Sequence, residues 1–294
     1  MKKIQISFIC ISIWALLFVL TYASHDTTGC PSKHPDAINY DSMTIKLEEN
    51  FNQAGLNTTL WKVGDNLART DQQFQLYTRD NVKLEDGKLV ISAQYNPTIL
   101  DGKKYDYTGG YLETKGDAGF KFKYGYAEAK IKLPQLQVQD SSFPAFWGLP
   151  ADNSRWPYSV ELDIMEYCNV CSGNDKNDYV YSAFIYGNRQ QYGDCRIWYR
   201  SPMKQLDFTQ YHLYGMLWSE NEITFYIDGV ANFSYIANNP SNNPSIGCPI
   251  VIPNREFYLI LDFAVIQKSA KPEQYNQPKQ MYVDYVKVYD INIK

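Results

Sequence analysis

Ser159-Val160-Glu161-Leu162-Asp163-Ile164-Met165-Glu166-Tyr167 interleaves three carboxylates with Leu and Ile. Alternation of polar and apolar side chains is the pattern of a strand with one buried face. On a regular strand Glu161 and Asp163 would share a face and Glu166 would point to the other. A β-bulge at about Ile164-Met165 would insert one residue and bring Glu166 back to the side of the other two acids, a re-aiming that bulges provide next to active sites. The expectation is a bulged strand whose three acids line one groove. At about 3.3 Å per residue the backbones of Glu161 and Glu166 lie on the order of 13 Å or more apart before curvature. Glycosidases hold their paired carboxyls roughly 5 to 5.5 Å apart when retaining and roughly 6.5 to 9.5 Å apart when inverting. Two long Glu side chains on a bent strand can close that gap, two Asp side chains cannot, and either stereochemistry stays open at this point. Crowding three acids also favours keeping one proton in the set, so that an acid and a base coexist.

An arbitrary E-x-D-x-x-E is more often a solvated strand face. Here an aromatic prelude shifts the balance: Ser142-Phe143-Pro144-Ala145-Phe146-Trp147-Gly148-Leu149-Pro150 and then Arg155-Trp156-Pro157. An indole beside paired carboxylates can offer a flat apolar platform to the C-H face of a sugar, so Trp147 and Trp156 are candidate substrate-binding residues. Phe146 is expected in the core.

Farther out, the period of two persists. Phe120, Phe122 and Tyr124 alternate with Lys121 and Lys123; Ala127, Ala129, Ile131 and Leu133 alternate with Glu128, Lys130 and Lys132. Similar alternation covers Lys88 to Ala93, Ile223 to Ile227 ahead of an Asp228-Gly229 turn, and Met281 to Tyr289, with Gly, Pro, Asn or Asp between. No long amphipathic helix is evident. The predicted fold is all-β: a two-sheet antiparallel sandwich, or jelly roll, with a concave substrate groove, because stacked sheets bury one face each without a helical layer.

Residues 1–23 read as an export signal, Lys2 and Lys3 followed by an apolar run to about Leu20 and small residues before a cleavage site after Ala23. Residues 24–44 form an aperiodic arm, and residues 45–294 the single domain. The expected location is therefore extracellular or an endomembrane lumen, with no membrane association once the signal is removed. Asn57-Thr58-Thr59 and Asn232-Phe233-Ser234 are candidate glycosylation sites in that route.

The 294 residues carry 28 basic and 32 acidic side chains. That balance gives no footprint for nucleic acid or an anionic membrane and points to a neutral partner; a monomer is expected. Cleavage would leave Cys30, Cys168, Cys171, Cys195 and Cys248, enough for two bridges and one spare thiol. The Cys168-x-x-Cys171 pair has no second cysteine or histidine pair to complete a zinc site, so a bridge to Cys195 beside the cleft is favoured over metal or thiol-redox chemistry. His212 is the one histidine beyond residue 34, which leaves almost no material for a Ser-His-Asp triad. The chemistry belongs to carboxylates.

These residues together resemble glycoside hydrolase family 16, specifically its laminarinase-like branch. The likeness runs from Phe51 and Leu60-Trp61 through Asp86-Gly87-Lys88-Leu89, Gly110-Tyr111-Leu112-Glu113-Thr114-Lys115, Tyr124 to Lys130, Pro144 to Trp147 and the acid motif. It continues to Tyr211-His212, Trp218, Tyr226 to Gly229 and Val283 to Tyr289. The resemblance implies a retaining endo-glucanase acting on β-1,3 or mixed β-1,3/1,4 glucan, with Glu161 as nucleophile, Glu166 as acid/base and Asp163 tuning Glu161. It implies no cofactor and no catalytic metal; some relatives hold a structural calcium, for which Asp284 is the candidate here. Val160 stands where the family usually has Gly, Ile185 where many members have His, and Asp262 and Ile266 where Asn and Gly are usual. A transglycosylase, an agarase-type enzyme and a non-hydrolytic carbohydrate-binding protein are the alternatives on the same fold.

Overall fold

The structure, a computed structural model, describes residues 34–69, 73–136, 140–154, 160–168, 180–186, 197–203, 206–237, 251–266 and 270–291. Among them are strands and three single 3-10 turns, at Tyr40–Ser42, Arg79–Asn81 and Pro272–Tyr275, and no helix long and apolar enough to cross a membrane.

Two sheets form the body. The outer sheet runs in the order β15 (Val230–Ile236), β14 (Glu222–Ile227), β13 (Tyr211–Trp218), β8 (Gly125–Lys132), β17 (Lys279–Ile291), β5 (Lys88–Leu100), β6 (Lys103–Gly109), β3 (Gln75–Tyr77). Two further strands join it: β1 (Met43–Glu49) pairs with β17, and β4 (Val82–Glu85) with β5. The groove-bearing sheet runs β12 (Ile197–Met203), β11 (Val180–Tyr186), β10 (Glu161–Tyr167), β9 (Ser142–Pro150), β16 (Phe257–Val265), β7 (Tyr111–Glu113), β2 (Lys62–Val63). Every pairing is antiparallel except that of β3 with β6.

The alternation expected from sequence accounts for the outer sheet. Ala127, Ala129 and Ile131 of β8 and Val283, Val286 and Val288 of β17 turn inward and are fully buried, and Leu162, Ile164, Phe146, Leu259 and Leu261 meet them from the other sheet. Removing that apolar area from water is the main force joining the two layers. Asp228 and Gly229 both take positive φ, 49° and 77°, which is the two-residue turn that closes the β14–β15 hairpin.

Two segments depart from expectation. Phe120 to Tyr124 is not a strand: Phe122 forms one isolated bridge to Phe257, and the chain then turns at Tyr124 (φ 62°) and Gly125 (φ 118°). A Cβ on Gly125 would sit 2.3 Å from the Tyr289 carbonyl oxygen, so close approach of β17 decides the backbone there and overrides the local alternation. The end of the supposedly irregular arm is also ordered. Ala37 bridges Val230, Tyr40–Ser42 makes a 3-10 turn and β1 already starts at Met43.

On the solvent side of the outer sheet, Asp284 accepts from Lys88 Nζ at 2.6 Å and Lys130 Nζ at 2.8 Å, one lysine on each oxygen. These two ammonium groups hold its carboxyl below the ordinary range against the opposing effect of its partial burial. Calcium requires six to eight oxygen ligands. A carboxylate engaged by two cations does not fit that need, and among the described residues no cluster of acids or histidines supplies the remainder.

Candidate active site

The register of β10 changes in mid-strand. Toward β9, Leu162 lies opposite Gly148 and Asp163 opposite Trp147, but the next pairs are Met165 with Phe146 and Glu166 with Ala145. One extra residue is therefore accommodated on β10. Toward β11 the same shift lies between Asp163, opposite Ala183, and Glu166, opposite Tyr181. The Ser182 hydroxyl donates to the Ile164 carbonyl oxygen at 2.9 Å, satisfying a buried backbone group that the bulge takes out of the ladder. Leu162, Ile164, Met165 and Tyr167 all enter the inter-sheet core. Glu161, Asp163 and Glu166 consequently lie on the opposite face, with Asp163 fully buried and both glutamates half-buried. The charge of Glu161 is felt by Tyr258, a groove-face residue of β16. Val160, just before the acids, has φ 74°, a left-handed conformation in which a β-branched residue is strained. Glycine would enter it freely.

The face that carries the acids has its own apolar cluster, separate from the core: Tyr77, Tyr111, Ala145, Trp147, Tyr258, Ile260 and Ala264. Two rows cross it. Asp163, Trp147, Ile260 and Glu113 stand in one, and Glu166, Ala145, Asp262 and Tyr111 in the next. Asp262 is buried beneath this surface. Its Oδ1 accepts from Trp147 Nε1 at 2.8 Å, and its Oδ2 accepts from the Tyr77 hydroxyl. Burial pushes its carboxyl up to about 6, against the lowering effect of those two hydrogen bonds and of the Arg69 charge.

Trp147 reaches the groove, but not as an open platform. It is 8% exposed, and the Arg69 guanidinium carbon lies 4.9 Å from its ring centre and 5.1 Å from that of Tyr111. Arg69 Nη1 donates to the Tyr111 hydroxyl at 2.7 Å, which in turn donates to Glu113 Oε2 at 2.7 Å. Sequence reasoning missed Arg69, Tyr77, Tyr111 and Tyr258 as site residues. Arg69 lies in an aperiodic segment, and β16 is buried on both faces along its whole length, so no alternation betrays which of its side chains face the groove. The departure at Asp262 was the one available signal.

Ile185, in the place of a frequent histidine, is buried directly opposite Glu161. Ile266 packs beside Cys168 and Tyr181 at one end of the floor. Cys168 is disulfide-bonded. Cys195, expected to bridge to the Cys168-x-x-Cys171 pair, lies outside the described residues, as do Cys171, Trp156 and the signal segment. Asn57 sits exposed in a turn, where its Oδ1 accepts from the Thr59 and Leu60 amides, and Asn232 lies on β15.

A family model described as β-porphyranase A–D, GH16 domain, matches residues 43–291. The chain belongs to glycoside hydrolase family 16. Within this family it is similar to the glucan endo-1,3-β-glucosidase A1 of Niallia circulans, 30% identical over 271 residues, which cover 84% of this chain and 38% of the relative. It is also similar to the β-glucanase of Rhodothermus marinus, 29% identical over 235 residues and 74% of each chain. The chain thus spans well under half of the first relative's length. Among solved structures, the catalytic domain of the Thermotoga petrophila endo-1,3-β-glucanase (laminarinase) superposes with a TM-score of 0.66 at 26% identity, covering 85% of this chain and 98% of that one. The jelly roll expected from the strand pattern is the family 16 fold.

Proposed function

We propose that this chain is an exported, endo-acting retaining glycosidase that hydrolyses β-1,3 or mixed β-1,3/1,4 glucan, working as a monomer without a metal or cofactor. One observation carries the reading: the bulge in β10 turns Glu166 to the same face as Glu161 and Asp163. Glu161 is the nucleophile. Its carboxylate attacks the anomeric carbon while Glu166, as acid, gives its proton to the departing glycosidic oxygen, leaving a glycosyl ester on Glu161. Glu166, now a carboxylate, takes a proton from water, whose oxygen displaces Glu161 and restores both groups with net retention. Asp163, buried two positions from Glu161 on the same face, orients and electrostatically tunes that nucleophile. The similarity to glucan endo-1,3-β-glucosidases and to the laminarinase structure supports the glucan. Residues 1–23 supply the export signal.

A galactan substrate is the second reading, favoured by the porphyranase description of the matching family model. Release of reducing ends from laminarin, lichenan, agar and porphyran by the secreted protein separates the two, and proton NMR of the first product reads the anomeric configuration. Glu161→Gln and Glu166→Gln should each cost at least about 10²-fold in kcat with folding unchanged. Hydrolytic activity retained in Glu161→Gln would overturn the nucleophile assignment; binding with no release of reducing ends by the parent protein would leave a lectin-like role.

A further inference from the structure

The groove floor beside the acids is aromatic, yet two of its rings, Trp147 and Tyr111, are overlaid by one guanidinium. We propose that Arg69 is a specificity-determining residue of this groove: its guanidinium, in place of an aromatic ring, meets the sugar bound over β9, β16 and β7 and donates hydrogen bonds to that sugar's oxygens. The inference rests on the glycosidase reading of the site and names which group reads the substrate there.

Three features support it. Arg69 lies on the acid-bearing side, because Trp147 is the cross-strand partner of Asp163, and Tyr111 shares a row with Glu166. With two strand spacings of about 4.8 Å between β10 and β16, a saccharide chain that crosses β10 at the acids and continues over the floor must pass this cation. Second, the guanidinium carries five N–H donors. Among the described residues its side chain makes one hydrogen bond, to Tyr111. Third, the planar cation is held at the cost of a single donor. It lies over the Tyr111 and Trp147 rings, and the buried Asp262, whose two oxygens accept from Tyr77 and Trp147, acts on it across space. A fork fixed in orientation, with edge donors to spare, loses little entropy when it binds ligand oxygen.

The acceptor oxygens come from one of two sources, adjacent ring hydroxyls of a neutral sugar or a sulfate ester of a galactan. The test measures binding by calorimetry to Glu161→Gln and to Glu161→Gln/Arg69→Met, using laminarihexaose and a sulfated porphyran hexasaccharide, together with kcat and KM on laminarin and porphyran in the Glu161 background. Arg69→Met keeps an unbranched side chain over the rings. The expected result is a rise in Kd and KM of about tenfold or more, with kcat changed by less than about threefold, in a variant that still unfolds cooperatively. Weakening on both ligands assigns hydroxyls, and weakening confined to the sulfated one assigns the ester. If Arg69→Met fails to fold, Arg69→Lys keeps the charge without the planar fork and should still raise Kd, by about threefold or more. Unchanged affinity in the folded variant overturns the proposal, as does failure of both oligosaccharides to bind. A parent protein that cleaves laminarin with Arg69→Met indistinguishable from it sinks Arg69 alone. One that binds but cleaves nothing sinks the glycosidase reading and leaves Arg69 standing.

Discussion

Replacing Asp262 by Asn, the residue usual in family 16, should change how stability depends on pH. Asp262 is completely enclosed among Tyr77, Trp147, Tyr111 and Tyr258, with Arg69 above it and Glu166 on the same row. Its carboxyl is raised from an ordinary 3.8 to about 6 because burial penalises the charged form more than the two hydrogen bonds and the arginine favour it. A folded-state value above the unfolded one means that the protonated carboxyl contributes stability fully present below pH 3.8 and lost as pH rises through about 6. About two units at about 1.4 kcal/mol each make that loss about 3 kcal/mol. Asn is neutral throughout and can accept from Trp147 Nε1 while offering its amide to the Tyr77 oxygen. Urea unfolding of both proteins at a series of values from about pH 3.5 to about pH 7.5 isolates the effect, since every other titrating group cancels in the difference. Relative to the parent, Asp262→Asn should gain about 3 kcal/mol across that range, with the steepest change near pH 5. Parallel stability curves would show that Tyr77, Trp147 and Arg69 fully offset the cost of burying the Asp262 charge, and the account of a carboxyl whose burial outweighs its partners would fall with them.

Other changes follow from the same geometry. At an ordinary strand position Ala is more stable than Gly by about 0.5 to 1 kcal/mol, but at φ 74° the Cβ costs about 1 to 2 kcal/mol, so Val160→Gly should be more stable than Val160→Ala by about 0.5 to 1 kcal/mol in denaturant titrations. Ser182→Ala removes the hydroxyl that satisfies the Ile164 carbonyl; a loss of about 1 to 3 kcal/mol and a drop in kcat larger than the change in KM are expected, and unchanged kinetics would show that the bulge holds Glu166 without it. Gly125→Ala drives a Cβ into the Tyr289 carbonyl and should destabilise by about 2 kcal/mol or more, read as a lowered thermal midpoint.

Much of this protein was legible without coordinates. The alternation in β8 and β17 announced half-buried strands, because a side-chain period of two is a local property of extended backbone, whereas β14, expected to be the same, is buried on both faces. The misfit of Glu166 to that period located the bulge, because the only cheap way to keep three acids on one face is to insert a residue. Where burial is set from both sides, as along β16, or where a neighbouring strand forces the backbone, as Tyr289 does at Gly125, local pattern carries no such information.

Sequence alone therefore determined the strands, the layered class and the acid motif, all of which depend on neighbours a few residues apart. Tertiary structure decided what lies over the groove floor. Arg69, Tyr111, Trp147 and Asp262 are scattered over nearly two hundred residues, and only the pairing order β9, β16, β7 brings them together to turn an expected sugar platform into a stacked cation. Long-range register, which no local periodicity encodes, is the physical reason.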